Sequence, residues 1–252
     1  FDGLPASQEM AAVAFSGRAK RGWYARSARA LVDIFGIEDA PRFAALLAAL
    51  SPQVSVENNT INALKVWTAW VKAERTVAPA RIKMIMGFNV QGDKGENSVL
   101  GAWVNNSIEA LTNPDPAKID LSGPKVTAFM NNLRGNVNAV TNDAWIANYA
   151  NVDQTLFAGR YVKEEGRSIG RPGAGYIAMS AAMRKAAEVA TEMTGDTWTP
   201  AEVQETVWSW AKTLYEKAGA KGENRTAAQI IAAGDMTAEE IGATPDFASL
   251  FV

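Results

Sequence analysis

The stretch that decides the fold is Ile119-Asp-Leu-Ser-Gly-Pro-Lys-Val-Thr-Ala-Phe129, which predicts a turn containing glycine that leads directly into a helix. Gly123 frees the backbone just before the helix. Pro124 suits a first helical turn, because the N–H that proline lacks is one that a helix start leaves unpaired anyway. The remaining amides of such a helix start point outward and favour an anion. We therefore interpret this segment as a hairpin with a candidate phosphate contact.

Two side chains capable of chemistry accompany this turn. Lys125 lies in the first turn of the predicted helix, where the helix dipole and any burial lower the pKa of an amine and favour its nucleophilic, neutral form. Asp143 follows the short apolar run Val137-Asn-Ala-Val140 and precedes Trp145. The sequence leaves two interpretations of Asp143 open. It is either an acid at the rim of a pocket or the N-cap of a short helix that follows it.

Most of the remaining chain is also predicted to be helical, which makes the fold class all-α. Gly159–Gly175 is rich in glycine and charge, and we expect a loose connection there. Its run Gly170-Arg-Pro-Gly-Ala-Gly175 is interpreted mainly as a flexible linker, because no strand is predicted before it. Apolar spacing and capping residues predict helices over 23–35, from the N-cap Asp39 to 50, over 55–76, over 98–111, from 124, after 142, over 175–193, from the capping box Thr199-Pro-Ala-Glu202, and in two short pieces after 226.

Composition narrows the possible chemistry. The 252 residues include no cysteine and no histidine, and the formal net charge is −2. These absences exclude a disulfide, a thiolate nucleophile, a Ser-His-Asp relay and an ordinary zinc or iron–sulfur site. Without histidine and cysteine, acid–base chemistry must use Asp, Glu, Lys or Tyr. A Mg²⁺ site built only from carboxylates stays open, but no recognisable spacing indicates one, and we expect no bound metal. The chain shows neither a long apolar run nor the pattern of a signal peptide, and we expect a cytoplasmic protein that does not associate with membranes.

Gly123, Lys125 and Asp143 together resemble the helix-hairpin-helix DNA glycosylases. In that family an apolar residue precedes a Gly-x-Gly-x-Lys hairpin, and an aspartate follows at a similar interval. The segment Leu50-Ser-Pro-Gln-Val-Ser-Val-Glu-Asn-Asn59 resembles the family's entry into the helix that faces DNA. Leu121 stands where the first hairpin glycine would be, and Trp145 stands where a histidine is often found. The resemblance covers about residues 40 to 150.

This resemblance implies a helix-hairpin-helix DNA-glycosylase-like fold, in which two helical halves flank a cleft. Residues 1–252 would form one domain, with the hairpin and catalytic segment at about 115–150 and a C-terminal helical extension at about 199–252. The protein would act on DNA as a monomer and without a cofactor. The target base would be flipped out into the cleft. Lys125 would attack the sugar while Asp143 stabilises the developing positive charge.

Further residues are candidates for contacts with DNA or the flipped base. Gln53 and Asn58 could probe the gap that the flipped base leaves. Alternatively, Ser55 only caps the next helix and Gln53 is exposed to solvent. The segment 16–29 holds cationic side chains and no acid, and it is either a solvated face or a phosphate contact. Trp67, Trp70, Trp208 and Trp210 lie at core spacing and are predicted to be structural. The candidate contacts are Gln53, Asn58, Gly123, Trp145, Arg134, Lys20 and Arg21.

Two alternative functions stay open. The form Gly-Pro-Lys-Val-x-x-Phe, with Asn131, Asn132 and Arg134 behind it, is similar to a divergent phage-associated branch linked to hypermodified thymine. That branch implies a transferase that joins an amino acid or amine to activated 5-hydroxymethyluracil in DNA, located in the cytoplasm of the host cell. The second alternative is a helix-hairpin-helix protein that binds DNA and catalyses nothing.

Overall fold

The computed structural model describes residues 4–92, 99–157, 159–164 and 166–217, and within these ranges the chain is mainly helical. The all-α prediction is therefore confirmed at the level of fold class. The α-helices are α1 (Ser7–Ser16), α2 (Trp23–Ala49), α3 (Val56–Lys72), α4 (Pro79–Asn89), α5 (Gly101–Thr112), α6 (Pro124–Leu133), α7 (Ala144–Tyr149), α8 (Ala174–Thr194) and α9 (Pro200–Lys217). Short 3₁₀ helices span Arg18–Lys20, Pro116–Lys118 and Gln154–Phe157, and two strands, β1 (Arg160–Glu164) and β2 (Arg167–Arg171), form a hairpin.

Helix starts that depend on local chemistry lie where the sequence predicts them. The hydroxyl of Ser55 accepts a backbone N–H from the first turn of α3 at 3.3 Å. Pro124 is the first residue of α6. Thr199 and Glu202 form the predicted capping box, because Thr199 donates its backbone N–H to Glu202 Oε2 at 2.8 Å and its Oγ1 accepts the Glu202 N–H at 3.2 Å.

The sequence predicts one helix over 23–35 and a second helix capped by Asp39; the two helical segments are confirmed, but the cap is wrong, because Asp39 lies inside the second segment. Helix α2 runs from 23 to 49 and is interrupted only at Gly36, whose φ of 76° and ψ of 163° lie outside the helical region. Only glycine adopts such a backbone readily, so Gly36 bends the helix at this point. The Asp39 carboxylate is used elsewhere, because both of its oxygens accept hydrogen bonds from the Arg75 guanidinium, at 2.7 and 2.6 Å. Helices α1 and α4 were not predicted.

The loose connection expected over 159–175 is instead an antiparallel β-hairpin followed directly by α8. Gly166, with φ of 80°, lies in the turn, and Val162 pairs with Ile169, which is buried. A strand therefore does precede the glycine run, and Gly170 belongs to it. The backbone N–H of Gly170 donates to Ser122 Oγ at 2.9 Å. This anchoring to the turn before α6 is long-range, which is why local composition did not indicate it.

The helices pack around two hydrophobic cores. One core is formed mainly by α2 to α6, and its fully buried members include Phe43, Leu46, Leu47, Val66, Ile82 and Met86. The other is formed mainly by α1, α7, α8 and α9, and its fully buried members include Met10, Ile146, Met179, Met183, Val207 and Leu214. Trp67, Trp70 and Trp210 are buried in these cores as predicted. The finer helix-hairpin-helix glycosylase arrangement stays a prediction.

Several expectations fall on other parts of the chain. The short helices after 226 and part of the polar loop over 90–97 lie outside the described residues, as does Ser98, the predicted start of α5. None of the helices in the described ranges is both long and apolar enough to cross a membrane.

Candidate functional site

A cavity of about 530 Å³ opens between the two cores, a size typical of pockets that bind small ligands. Its wall is formed mainly by the start of α2, the loop before α3, α6, the start of α7 and one face of α9. The aromatic part of the wall consists of Trp23, Tyr24, Phe129, Trp145 and Trp208, and the charged part consists of Lys125, Asp143, Glu205, Lys212 and Glu216. Both predicted catalytic residues therefore face one aromatic cavity.

Asp143 satisfies both interpretations that the sequence left open. It is the N-cap of α7, and its Oδ1 accepts the backbone N–H groups of Trp145 at 2.9 Å and Ile146 at 3.3 Å. Its Oδ2 accepts the indole N–H of Trp208 at 2.8 Å. The carboxylate also belongs to the cavity wall. Three N–H donors stabilise its negative charge and restrict its rotation.

Lys125 lies on the α6 side of the same cavity. Its side chain is half-buried, and Nζ is 3.5 Å from the backbone oxygen of Ser51, which is at the outer limit of a hydrogen bond. Burial lowers the pKa of Lys125 from its ordinary value, and the negative charge of Asp143 opposes this effect. The amine is thus shifted toward the neutral form that nucleophilic attack requires.

Glu205 and Tyr24 join α9 to the start of α2 beneath the cavity. Glu205 Oε2 accepts the Tyr24 backbone N–H at 2.8 Å, and Oε1 accepts the N–H of Gly22. The Tyr24 hydroxyl donates to Gln204 Oε1 at 2.7 Å. Burial raises the pKa of Glu205 to about 8, against the opposing effect of these backbone donors. Burial also raises the pKa of the Tyr24 hydroxyl well above its ordinary value.

The loop before α3 places one of the two predicted probing residues at the cavity. Gln53 is exposed in the cavity wall, and its φ of 63° is a left-handed backbone that a residue with a side chain rarely adopts. Such strain is often found at functional sites. Asn58 lies outside the wall, and its backbone N–H binds Ser55 Oγ. The neighbouring Asn59 is buried in the wall, where its Nδ2 donates to Leu47 O at 3.1 Å.

Gly123 has the conformational role that the sequence predicts, but its amide is used within the protein. Its φ of 117° requires a glycine, and its N–H donates to the backbone oxygen of Gly170 at 3.0 Å. Asn106 holds the preceding residue, because it donates to Ser122 O at 2.9 Å and accepts the Ser122 N–H at 2.7 Å. The turn before α6, and with it Lys125, is therefore fixed from two sides.

The three cationic residues among the predicted DNA contacts lie outside the cavity wall, as Asn58 and Gly123 do. Arg134 donates to the backbone oxygen of Pro41 at 3.0 Å and of Pro116 at 2.9 Å, and burial lowers its pKa to about 10. Arg21 forms an ion pair with Glu202 at 3.0 Å, at the start of α9. Lys20 is half-buried in the short 3₁₀ helix before α2. DNA contacts by these cations stay predictions, and the geometry of Arg134 and Arg21 gives both residues a structural role.

The α9 face of the site was missed. Gln204, Trp208, Lys212 and Glu216 recur every four residues, which places them on one side of a helix, and all four belong to the cavity wall. This four-residue spacing is visible in the sequence and could have identified the α9 face of the site. The structural role predicted for Trp208 is therefore incomplete, since its indole lies in the wall and binds Asp143.

The fold and the site define a mainly helical protein with an aromatic, carboxylate-containing cavity between two cores. The chain belongs to a family of unknown function (DUF7178), whose model matches residues 10–217. It matches no curated protein and no solved structure.

Proposed function

We propose that this protein processes a base in DNA, after flipping the target nucleotide into the cavity between the two cores, and that base excision is its reaction. The observation that supports this function is the placement of Lys125 and Asp143 in one wall lined by aromatic rings. Aromatic faces stack on any base, which suits such a wall to a flipped nucleotide. The resemblance of the same two residues to the glycosylase pattern is independent of this geometry.

In the excision reaction the neutral Lys125 amine attacks C1′ of the flipped nucleotide. The N–C1′ bond to lysine forms while the glycosidic bond breaks, and the base leaves with the electron pair and takes a proton from solvent. Asp143 stabilises the positive charge that develops on the sugar. The attacking lysine loses a proton after the bond forms. The covalent intermediate is an imine once the sugar ring opens, and borohydride reduces it to a stable adduct.

One feature of the cavity favours a second candidate, the transferase. Lys212 and Glu216 form an ion pair of 2.6 Å in the α9 wall, and the amides of Asn148 and Gln154 lie in the same wall. Neighbouring opposite charges complement the ammonium and carboxylate of a free amino acid. In this reaction the glycosidic bond stays intact, the amine attacks the 5-methylene carbon of an activated 5-hydroxymethyluracil, and the activating group leaves.

The experiment that tests excision uses labelled single-stranded and duplex oligonucleotides that contain uracil, 8-oxoguanine or 5-hydroxymethyluracil. Each is incubated with the protein in the presence and absence of borohydride. We expect base release and a trapped covalent adduct with the unaltered protein, and neither with Lys125→Ala. The matched control is Lys83→Ala, which removes an exposed lysine of α4 and should leave both signals unchanged.

The outcomes separate the three functions. No base release and no adduct with any of these substrates would overturn excision. A mass gain on pyrophosphorylated 5-hydroxymethyluracil DNA in the presence of an amino acid, lost in Lys212→Gln, would establish the transferase instead. DNA binding without any chemical change, retained in Asp143→Asn, would identify a binding module.

A further inference from the structure

We propose that Trp208 is a positioning residue that holds the Asp143 carboxylate in a single orientation, and so leaves one acceptor position on Oδ2 for the substrate. The inference rests on the proposed function for the role of Asp143. It adds a residue that neither the hairpin motif nor the family match assigns.

The hydrogen bonds of Asp143 define which part of the carboxylate remains available. An ionised carboxylate has about four acceptor positions, two on each oxygen. Oδ1 accepts from the backbone N–H groups of Trp145 and Ile146, and Oδ2 accepts from the Trp208 indole at 2.8 Å. The donors thus occupy Oδ1 twice and Oδ2 once. The second position on Oδ2, beside the indole, is the one that a substrate can use.

An indole is well suited to this task. Its N–H is a donor only, so the contact is favourable with an ionised carboxylate and is weakened when that oxygen gains a proton. The ring is rigid and comes from α9, whereas the other two donors belong to α7 itself. Trp208 therefore fixes Asp143 relative to α9. Capping of α7 alone would not do this, because both capping donors move with the helix.

The surroundings of Trp208 also place it in the site. Its side chain is half-buried and belongs to the cavity wall, and the Lys212 ammonium lies 6.0 Å from the centre of its ring. Trp210, two residues further along α9, is different, because it is buried and packs edge-on against Tyr149. Both tryptophans lie in α9, but only Trp208 reaches the cavity. They therefore provide a matched pair for separating a positioning role from packing.

The first test is independent of any enzymatic activity. The indole ¹H–¹⁵N resonance of Trp208 is assigned by its loss in Trp208→Phe, and its shift is followed from neutral to acidic pH. We expect it to move as Asp143 gains a proton, and to lose this movement in Asp143→Asn. Lys125 from α6, Tyr24 from α2, Tyr176 from α8, and Glu205, Lys212 and Glu216 from α9 are the other ionisable groups near this pair. The Asp143→Asn variant separates their titration from that of Asp143.

The second test uses the excision assay. Trp208→Phe should lower kcat by about 10- to 100-fold with little change in KM, as expected when one charge-assisted hydrogen bond to a reacting group is lost. Trp210→Phe should leave both kcat and KM unchanged, because Trp210 packs in the core and does not reach Asp143.

Two results would overturn the inference. One is a Trp208 resonance that shows the same pH dependence with Asp143 and with Asn at that position. The other is an equal kcat for Trp208→Phe and Trp210→Phe. If the unaltered protein excises no base, the proposed function fails, while the resonance test still decides whether Trp208 holds the Asp143 carboxylate.

Discussion

The carboxylate of Glu205 on α9 accepts the backbone N–H of Tyr24 at 2.8 Å, and so caps the start of α2 from a helix of the other core. The contact links the two cores directly beneath the cavity. Because burial raises the pKa of Glu205 from its ordinary 4.5 to about 8, this link depends on pH.

We expect the free energy of unfolding to decrease as the pH rises between about 4.5 and 8. In this window the folded protein keeps a proton on Glu205 that the unfolded chain has already released, so folding takes up a proton. The contribution of Glu205 to the free energy of unfolding is complete below about pH 4.5 and is lost as the pH rises through about 8. Urea unfolding at several pH values measures it. In Glu205→Gln the dependence should be weaker, and an equal dependence would contradict the assignment to Glu205.

The turn before α6 should depend strongly on Asn106. Its buried amide makes two hydrogen bonds with the backbone of Ser122. Asn106→Ala removes both hydrogen bonds from the partly buried backbone of Ser122, and should lower the free energy of unfolding by about 2–5 kcal/mol. Urea unfolding measures the change. The control is Asn105→Ala, an exposed neighbour in the same helix that should change stability by about 0.5 kcal/mol or less.

A methyl group at position 170 should loosen the contact between the β-hairpin and the turn. A Cβ at Gly170 would lie 3.2 Å from the backbone nitrogen of Gly123 and 3.3 Å from its Cα. We expect Gly170→Ala to destabilise the protein by about 1–3 kcal/mol, since backbone atoms must move to make room. Calorimetry should show the loss. Gly101→Ala is the control, because its Cβ would meet nothing within 4 Å.

Arg134 should contribute to stability, through its hydrogen bonds to the carbonyl groups of Pro41 and Pro116. Arg134→Gln removes the charge and these two partly buried hydrogen bonds, which should cost about 1.5–3 kcal/mol. The exposed Arg81, changed to Gln, provides the control. If Arg134→Gln is as stable as the unaltered protein but binds DNA with a smaller salt dependence, the DNA contact predicted from the sequence is correct instead.

The sequence predicted those parts of the site that depend on neighbours along the chain. Pro124 begins α6, Asp143 caps α7, and Thr199 pairs with Glu202, because each of these interactions spans at most a few residues. Gly123 was recognised for the same reason, since a turn of this kind requires a glycine. Most helices could be predicted from the spacing of their apolar residues, because that spacing lies entirely within each helical segment.

Only the tertiary structure decided which partners these residues have. Trp208 reaches Asp143 from a distant helix, the β-hairpin occupies the Gly123 amide, and Arg134 turns inward to bind carbonyl groups rather than outward to solvent. Hydrogen bonds between segments far apart in the chain depend on how the two cores pack, and no local pattern encodes that packing. The sequence by itself determined a helical protein with a lysine and an aspartate at two helix starts. The tertiary structure placed both in one cavity and added the α9 wall that completes it.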